Sequence, residues 1–250
     1  MSTESIGKAV KRIPGAVFVF SAPVYNANVD ELHDLVDRKS SEENATIFLT
    51  TSGGDPHAAY RMARCMRAAF KFVRVVIAGR CRSAGTLVAI GGHEIAMGLW
   101  GELGPLDAQM ARPDELVARS SGLEVLGAWA TTQARGFDAF SQYLVELTEV
   151  GLGTKLSAEI AASLASGIIQ PVAAQIDPIR LAEAERSIEI ATAYGERLRE
   201  PNLTARGLDT LVKGYPNHEF VIDKPEAEKV FEKVEDLTDA EVEVATLLQQ

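Results

Sequence analysis

In the first part of the chain, short apolar segments alternate with segments in which apolar residues recur every three to four positions. The short segments, at 16–20, 46–50, 73–78 and 94–97, are rich in β-branched and aromatic residues and predict strands. The amphipathic segments between them predict helices, the first opening at Asn28 or Asp30 and the others lying at 56–70 and 83–90. This alternation predicts an α/β fold, with repeated β-α units and a largely parallel sheet over residues 15–112.

Residues 113–213 have a different pattern, rich in Ala, Leu and Glu and almost without strand signals. Helices are predicted at 114–119, 122–150, 156–168, 178–199 and 203–213, and Gln170-Pro171 is expected to end the third of them. This C-terminal helical block is predicted to be a lid over a cleft, an oligomerisation region, or both. Residues 1–14 are polar and are expected to form a flexible arm, whereas residues 214–250 are expected to form an appended strand and helix.

The composition is that of a globular protein, since 46% of the 250 residues are hydrophobic and 24% are charged. The formal net charge of −10 argues against a nucleic-acid groove and against docking on an anionic membrane. Two cysteines provide neither a disulfide framework nor a zinc site, and they favour reduced thiols and a cytoplasmic location. No stretch approaches the roughly 18 apolar residues of a membrane span, and the run 15–24 is interpreted as a strand rather than a signal peptide. The sequence contains no phosphate-binding glycine loop and no metal-ligand motif, so neither a cofactor nor a metal ion is expected.

One serine stands at a predicted strand-to-helix junction. Within the segment 79–92, Ser83 is followed by the small residues Ala84 and Gly85. Small neighbours let a substrate backbone come close, and the amide at the start of the next helix can face a developing oxyanion. Ser83 is therefore a candidate nucleophile and Ala84 a candidate oxyanion donor. The alternative, which stays open here, is that Ser83 is an ordinary helix N-cap.

A second junction lies upstream, where the strand at 46–50 runs into Gly53 and Gly54. Paired glycines after a strand can direct backbone N–H groups into a cleft that no side chain obstructs. Asp55 then fits the N-cap and Pro56 the first position of the next helix. The glycine pair is a second candidate for the oxyanion site, and the alternative is a plain strand-to-helix turn.

Three segments taken together resemble a known superfamily. They are Thr51-Ser52-Gly53-Gly54, Cys81-Arg82-Ser83-Ala84-Gly85-Thr86 and Glu102-Leu103-Gly104-Pro105-Leu106-Asp107-Ala108-Gln109. In this order and spacing they resemble the Clp protease/crotonase superfamily, and more narrowly the serine dehydrogenase proteinase (SDH proteinase) group, related to the SppA signal peptide peptidases. Two later segments resemble the narrower group, namely Gln175-Ile176-Asp177-Pro178 and Tyr215-Pro216-Asn217-His218-Glu219-Phe220-Val221-Ile222-Asp223. The resemblance covers roughly residues 45–235 and implies a ClpP/crotonase-like core, serine peptidase activity on a peptide or protein substrate, and a homo-oligomer.

A serine hydroxyl needs a base that takes its proton, and the resemblance implies two designs. The Clp branch carries a histidine about two dozen residues after the serine, where this chain has none. The SppA branch uses a lysine that burial keeps neutral near pH 7, and Lys155 fits this design, with a solvent-exposed lysine as the alternative. His57, just past the glycine pair, is the second candidate base. His93 and His218 are weaker candidates, and Asp107 is a residue that could orient a base.

The sequence therefore predicts a serine peptidase with Ser83 as nucleophile and Lys155 or His57 as base. This prediction requires the junction at Gly53-Gly54 and the junction at Ser83 to lie in one pocket. Gly53, Gly54 and Ala84 would surround the oxyanion. The missing Clp-type histidine motivates an alternative, a catalytically impaired scaffold or regulatory protein with the same fold. A third possibility is crotonase-like acyl-CoA chemistry, which uses backbone oxyanion holes. It is disfavoured by a serine between small residues and by the lack of a basic patch for adenine phosphates.

Overall fold

The computed structural model of the protein describes residues 3–106, 109–111 and 119–248. The chain divides into two compact units, the first made of residues 1–108 and 188–250 and the second of residues 109–187. The division predicted from the sequence, at 15–112, 113–213 and 214–250, differs from this. The reason is that the C-terminal part of the chain contributes helices and a strand to the same unit as the N-terminal core.

The elements of each unit follow one another along the chain. The first unit opens with α1 (Thr3–Val10), β1 (Ala16–Ser21), α2 (Asn26–Asp37), β2 (Asn44–Thr50), α3 (Pro56–Ala69), β3 (Phe72–Ile77), β4 (Arg80–Cys81), α4 (Ala84–Ile90), β5 (Glu94–Met97) and β6 (Glu102–Leu103). The second unit contains β7 (Gln109–Ala111), β8 (Arg119–Ser121), α5 (Gly122–Glu149), α6 (Thr154–Ala173) and the beginning of α7 (Pro178–Leu198). The first unit then resumes with the end of α7, followed by α8 (Gly207–Lys213), α9 (Lys224–Val230), β9 (Val234–Glu235) and α10 (Asp239–Leu248).

Five strands form the central sheet in the order β1-β2-β3-β5-β9, and every neighbouring pair is parallel. The predicted α/β fold with a largely parallel sheet is therefore confirmed. The strand expected in the appendage at 214–250, predicted at 220–222, is reduced to one antiparallel bridge between Leu103 and Ile222. The strand that completes the sheet is instead β9, which is two residues long and therefore too short to give a periodic signal.

Side chains along the strands alternate between two cores, as the two-residue period of a strand requires. In β2, Ala45, Ile47 and Leu49 face the core that α2, α3 and α4 cover. Phe48 faces the opposite core, to which Ala9 of α1 and Val244 of α10 contribute. Because both faces are covered, β2 is a nearly continuous apolar run, as is usual for a central parallel strand.

The N-terminal segment differs from the flexible arm expected at residues 1–14. Residues from Thr3 to Val10 form α1, and both Ala9 and the following Ile13 are buried in the second core. The helix packs against α10 at the far end of the chain. The two ends of the chain thus close one face of the sheet together.

In the second unit, α5 and α6 pack against each other, and Gly136 of α5 lies beside Ile169 of α6. Pro171 lies inside the last turn of α6 rather than ending it, because a proline there removes only one backbone hydrogen bond. Of the helix predicted at 114–119, residues 114–118 lie outside the described residues, and Arg119 is the first residue of β8.

Among the residues that the structure describes, α6 is the one helix long and apolar enough to cross a membrane, with a mean hydropathy of 1.3 and 17% of its apolar stretch buried. This corrects the expectation that no stretch of the chain approaches the required length. This finding rests on the length and composition of α6 only, and a helix that is covered by other parts of a protein meets the same criteria.

Candidate active site

Backbone pairing holds the two predicted junctions side by side. Beyond the end of β2, the N–H of Thr51 donates to the carbonyl of Arg80 at 2.8 Å, and the N–H of Arg82 donates to the carbonyl of Thr51 at 3.1 Å. Thr51 thus forms a parallel bridge with Cys81 of β4. Both junctions lie beyond the carboxyl ends of parallel strands, which is where α/β sheets place their functional loops.

The glycine pair adopts backbone conformations that favour glycine, with φ of +106° at Gly53 and +152° at Gly54. A methyl group on Gly53 would lie 3.0 Å from Ser83 Cβ, so Ser83 packs directly against the Gly53 α-carbon. A methyl group on Gly54 would lie 2.3 Å from the carbonyl oxygen of Val24. The predicted convergence of the two junctions is therefore confirmed, and both glycines are required by close approach as well as by φ.

Ser83 has an unusual backbone. With φ of +52° and ψ of −114°, it is the one non-glycine residue at positive φ in the part of the chain that the structure describes. Such a conformation costs about 1–3 kcal/mol and persists only where the surroundings impose it. A sharp strand–turn–helix that holds a serine in this way exposes its hydroxyl, as nucleophile turns do.

The N-cap alternative for Ser83 does not fit this geometry. The residue stands at the N-cap position of α4, but its side chain makes no capping hydrogen bond and its backbone is not extended, as an N-cap usually is. No described residue is hydrogen-bonded to Ser83 Oγ. The side chain is half-buried, so part of it remains accessible to another partner.

Two of the three predicted oxyanion donors have no backbone acceptor among the described residues, namely the N–H groups of Gly54 and Ala84. The third is already engaged, because the N–H of Gly53 donates to Thr51 Oγ1 at 3.1 Å. Thr51 is buried, and its hydroxyl also lies 3.3 Å from the Gly53 carbonyl. Gly53 therefore shapes the turn rather than offering a free N–H group. The role of Thr51 in holding this turn was not predicted from the sequence, although its position at the end of an apolar strand was a signal for it.

Arg82, which precedes Ser83, is fixed by its side chain as well as by its backbone. Its guanidinium lies 3.2 Å from Glu102 Oε2 and 2.6 Å from Glu219 Oε2, and the side chain is only 12% exposed. Burial alone would raise the pKa of Glu102, but hydrogen bonds from Arg82 and Arg80 outweigh it and leave that pKa below its ordinary value. These contacts hold the loop that carries Ser83 without supplying a base, since the Glu102 carboxylate is stabilised in its charged form.

The third motif segment joins the same cluster. β6 pairs with β4 in parallel, and Thr86 Oγ1 of α4 donates to the carbonyl of Gly104 at 2.7 Å. Gly104 lies against Arg82, since a methyl group there would be 3.2 Å from Arg82 Cβ. The second of the three segments that carry the family resemblance therefore contacts both the first and, as far as residue 106, the third. Asp107 lies outside the described residues.

Neither predicted base is hydrogen-bonded to Ser83. His57 Nδ1 lies 2.8 Å from Tyr194 Oη, and the tyrosine ring in turn stacks on Tyr60. Lys155 belongs to the second unit, in the first turn of α6, and its side chain is exposed. Asp55 and Pro56 occupy the predicted N-cap and first position of α3, with Asp55 Oδ1 accepting the N–H of His57. The described residues also contain no group of histidine, cysteine or carboxylate side chains that could hold a metal ion.

No protein-family model matches the chain, and no curated protein matches it. Among solved structures, a mutant of the 1510-N membrane-bound stomatin-specific protease is 15% identical, with a TM-score of 0.38 over 59% of this chain and 70% of that chain. The 1510-N membrane protease specific for a stomatin homolog from Pyrococcus horikoshii is 18% identical, with a TM-score of 0.33 over 59% of this chain and 63% of that chain. A ClpP1 mutant from Listeria monocytogenes is 12% identical, with a TM-score of 0.39 over 90% of this chain and 93% of that chain. At these identities and TM-scores the likenesses say nothing about chemistry, which must be argued from the geometry of this chain.

Proposed function

We propose that the protein is a serine peptidase in which Ser83 attacks the carbonyl carbon of a peptide bond. The observation that carries the proposal is the backbone of Ser83, held at φ +52° against Gly53 with its hydroxyl free of a capping bond. A strained serine between a strand and a helix is expected where the hydroxyl must be presented to a substrate.

The oxyanion that forms in the attack would be stabilised by the N–H groups of Gly54 and Ala84. Both are without a backbone acceptor among the described residues, so they can donate to a substrate oxygen without first losing a partner. One such donor contributes about 10²–10³-fold to the rate in a typical acyl transfer. The base remains open between Lys155 and a histidine, as the sequence leaves it.

The proposed substrate is a peptide or protein, and the proposed assembly is a homo-oligomer in the cytoplasm. Large exposed apolar side chains support the assembly, since contiguous exposed apolar surface commonly marks an interface. Eight of them lie on the second unit, at Phe137, Val145, Val150, Leu156, Leu164, Ile168, Val172 and Ile179, and others, among them Leu99 and Trp100, lie on the first. Kinship with the SDH proteinase and SppA groups is part of the proposal and rests on the sequence segments alone.

The test is covalent labelling of the full-length protein with a fluorophosphonate, which reacts with activated serines. The wild-type protein should be labelled, Ser83→Ala should not, and Ser52→Ala should react like the wild type. Ser52 is the matched control because it is an exposed serine in the neighbouring loop. Equal labelling of Ser83→Ala and wild type would reject Ser83 as the nucleophile.

A second candidate function, a catalytically impaired scaffold, is favoured by one observation. No described side chain is hydrogen-bonded to Ser83 Oγ, and a serine without a base is a poor nucleophile. A scaffold would show neither labelling nor hydrolysis of casein or small esters. Hydrolysis that is lost in Ser83→Ala would exclude this candidate.

A further inference from the structure

A C-terminal segment, residues 215–223, lies beside the nucleophile loop. The N–H of Leu103 donates to the carbonyl of Ile222 at 2.9 Å, and the N–H of Ile222 donates to the carbonyl of Leu103 at 3.0 Å. Leu103 in turn pairs with Cys81 of β4. We call residues 215–223 the C-terminal strap. Side by side, the paired segments are Thr51, β4, β6 and then the strap.

The direction of the strap determines which of its residues approach Ser83. β4 and β6 are parallel, whereas Ile222 pairs antiparallel with Leu103. Moving back along the strap from Ile222 therefore leads the same way as moving forward from Cys81 to Ser83. The ion pair of Glu219 with Arg82 agrees with this direction, because Arg82 Nη1 lies 2.6 Å from Glu219 Oε2 and Arg82 is the residue before Ser83.

His218 is next to Glu219 on the strap and is only 7% exposed. Each of the other three histidines lies elsewhere in the fold. His57 is hydrogen-bonded to Tyr194, and His33 lies on α2. His93 lies at the amino ends of β3 and β5, at the sheet edge opposite to Ser83, where its N–H donates to the carbonyl of Val73. His218 is thus the histidine that the topology brings to the nucleophile end of β4.

The charged side chains beside Ser83 are poor bases. The guanidinium of Arg82 carries hydrogen-bond donors only and no acceptor. The carboxylates of Glu102 and Glu219 are both paired with that arginine, and the hydrogen bonds from Arg82 and Arg80 leave the pKa of Glu102 below its ordinary value. An imidazole, by contrast, exchanges protons near pH 7.

We propose that His218 is the general base for Ser83, an inference that rests on the proposed peptidase function. As Ser83 Oγ bonds to the substrate carbonyl carbon, its proton passes to an imidazole nitrogen of His218. The imidazolium then gives that proton to the departing amine nitrogen as the C–N bond breaks, leaving an acyl-serine. Water attacks this ester with loss of its proton to His218, which returns the proton to Ser83 Oγ as the acid product leaves.

The experiment measures the rate of fluorophosphonate labelling for the full-length wild type and for His218→Ala, His218→Gln, Lys155→Met and His57→Gln, with His33→Ala as the matched histidine control. His218→Ala and His218→Gln should react about 10²–10⁴-fold more slowly, the usual contribution of a general base. Added imidazole should restore part of the rate in His218→Ala, because it can occupy the space left by the side chain. His33→Ala should stay within about twofold of the wild type, since this residue lies outside the site.

The possible results separate this inference from the proposed function. The assignment would be overturned if both His218 variants were labelled at the wild-type rate. It would also be overturned if only Lys155→Met or His57→Gln lost labelling. Either result would leave Ser83 as the nucleophile. If both His218 variants lose labelling and added imidazole restores none of the rate in His218→Ala, the assignment is also overturned. Circular dichroism shows whether each variant is folded, and rescue by imidazole shows whether the missing group is a base. Absence of Ser83-dependent labelling in the wild type would reject the peptidase function itself, and the role of His218 with it.

Discussion

Replacing Gly53 by alanine tests the packing of the candidate site, because Ser83 packs directly against Gly53. The added methyl group would lie 3.0 Å from Ser83 Cβ and 3.1 Å from the carbonyl oxygen of Arg82. It would also hold a side chain at φ +106°, a conformation that costs about 1–3 kcal/mol in a non-glycine residue. The methyl group can be accommodated only if Ser83 moves by a few tenths of an ångström or more.

Gly151→Ala is the matched control for this substitution. Gly151 also has a positive φ, +93°, but an added methyl group there would meet nothing within 4 Å. Both variants should lose about 1–3 kcal/mol of unfolding free energy, measured by urea denaturation, because both carry the backbone penalty. Only Gly53→Ala should lose labelling rate, by about tenfold or more, since displacing a reacting group by a full ångström can cost about 10²-fold.

Two results would contradict this prediction. If Gly53→Ala is labelled at the wild-type rate, Ser83 does not depend on the contact with Gly53. If Gly151→Ala loses labelling as much as Gly53→Ala, the loss arises from general destabilisation rather than from displacement of the hydroxyl.

Three further predictions concern the supports of the site and the sheet. Thr51→Val should slow labelling about tenfold and cost about 1–3 kcal/mol in urea denaturation, because it leaves the buried N–H of Gly53 without its acceptor. Glu241→Gln should cost about 1.5–3 kcal/mol at pH 7, since its carboxylate accepts a hydrogen bond from Arg74 Nε at 2.7 Å. Burial alone would raise the pKa of Glu241, but the Arg74 and Thr238 hydrogen bonds leave it below its ordinary 4.5, so this stability is present above pH 4.5 and is lost as the pH falls through the folded-state pKa. Iodoacetamide should modify Cys65 and spare Cys81 until the protein is denatured, because burial raises the pKa of the fully buried Cys81 thiol and the thiolate is the reactive form.

Each of these predictions has a result that would contradict it. Thr50→Val is the control for Thr51→Val, since Thr50 is exposed at the end of the same strand, and equal effects of the two would remove the role of Thr51. A Glu241→Gln deficit that persists unchanged below pH 3 would mean that its charge does not matter. Alkylation of Cys81 as fast as Cys65 in the native protein would show that the β4 strand opens readily.

The strands and the two junctions were predictable because their signals are local. The apolar runs of β1, β2 and β3, and the glycines and serine that follow them, can be read within a dozen residues. Likewise, the N-cap Asp55 and Pro56 require only neighbouring residues. What these patterns could not give is the orientation of the Ser83 hydroxyl, which depends on its contact with Gly53, thirty residues away.

The features that sequence reasoning missed depend on distant partners. β9 joins the sheet through its pairing with β5, and two residues carry no periodicity of their own. α1 is amphipathic, with Ile6, Ala9 and Val10 at helical spacing and Ile13 just beyond its end, but the apolar surface that it covers is built by strands and by α10. Arg82 and Glu219, which form an ion pair, are 137 residues apart in the sequence, so the closeness of the C-terminal strap to Ser83 had no local signal.

The most direct test of the central claim is to locate the fluorophosphonate adduct by tandem mass spectrometry of the digested wild-type protein. The account predicts a single stoichiometric adduct on Ser83, in the segment between Arg82 and the start of α4. An adduct on any other serine, or no adduct on a correctly folded protein, would contradict it.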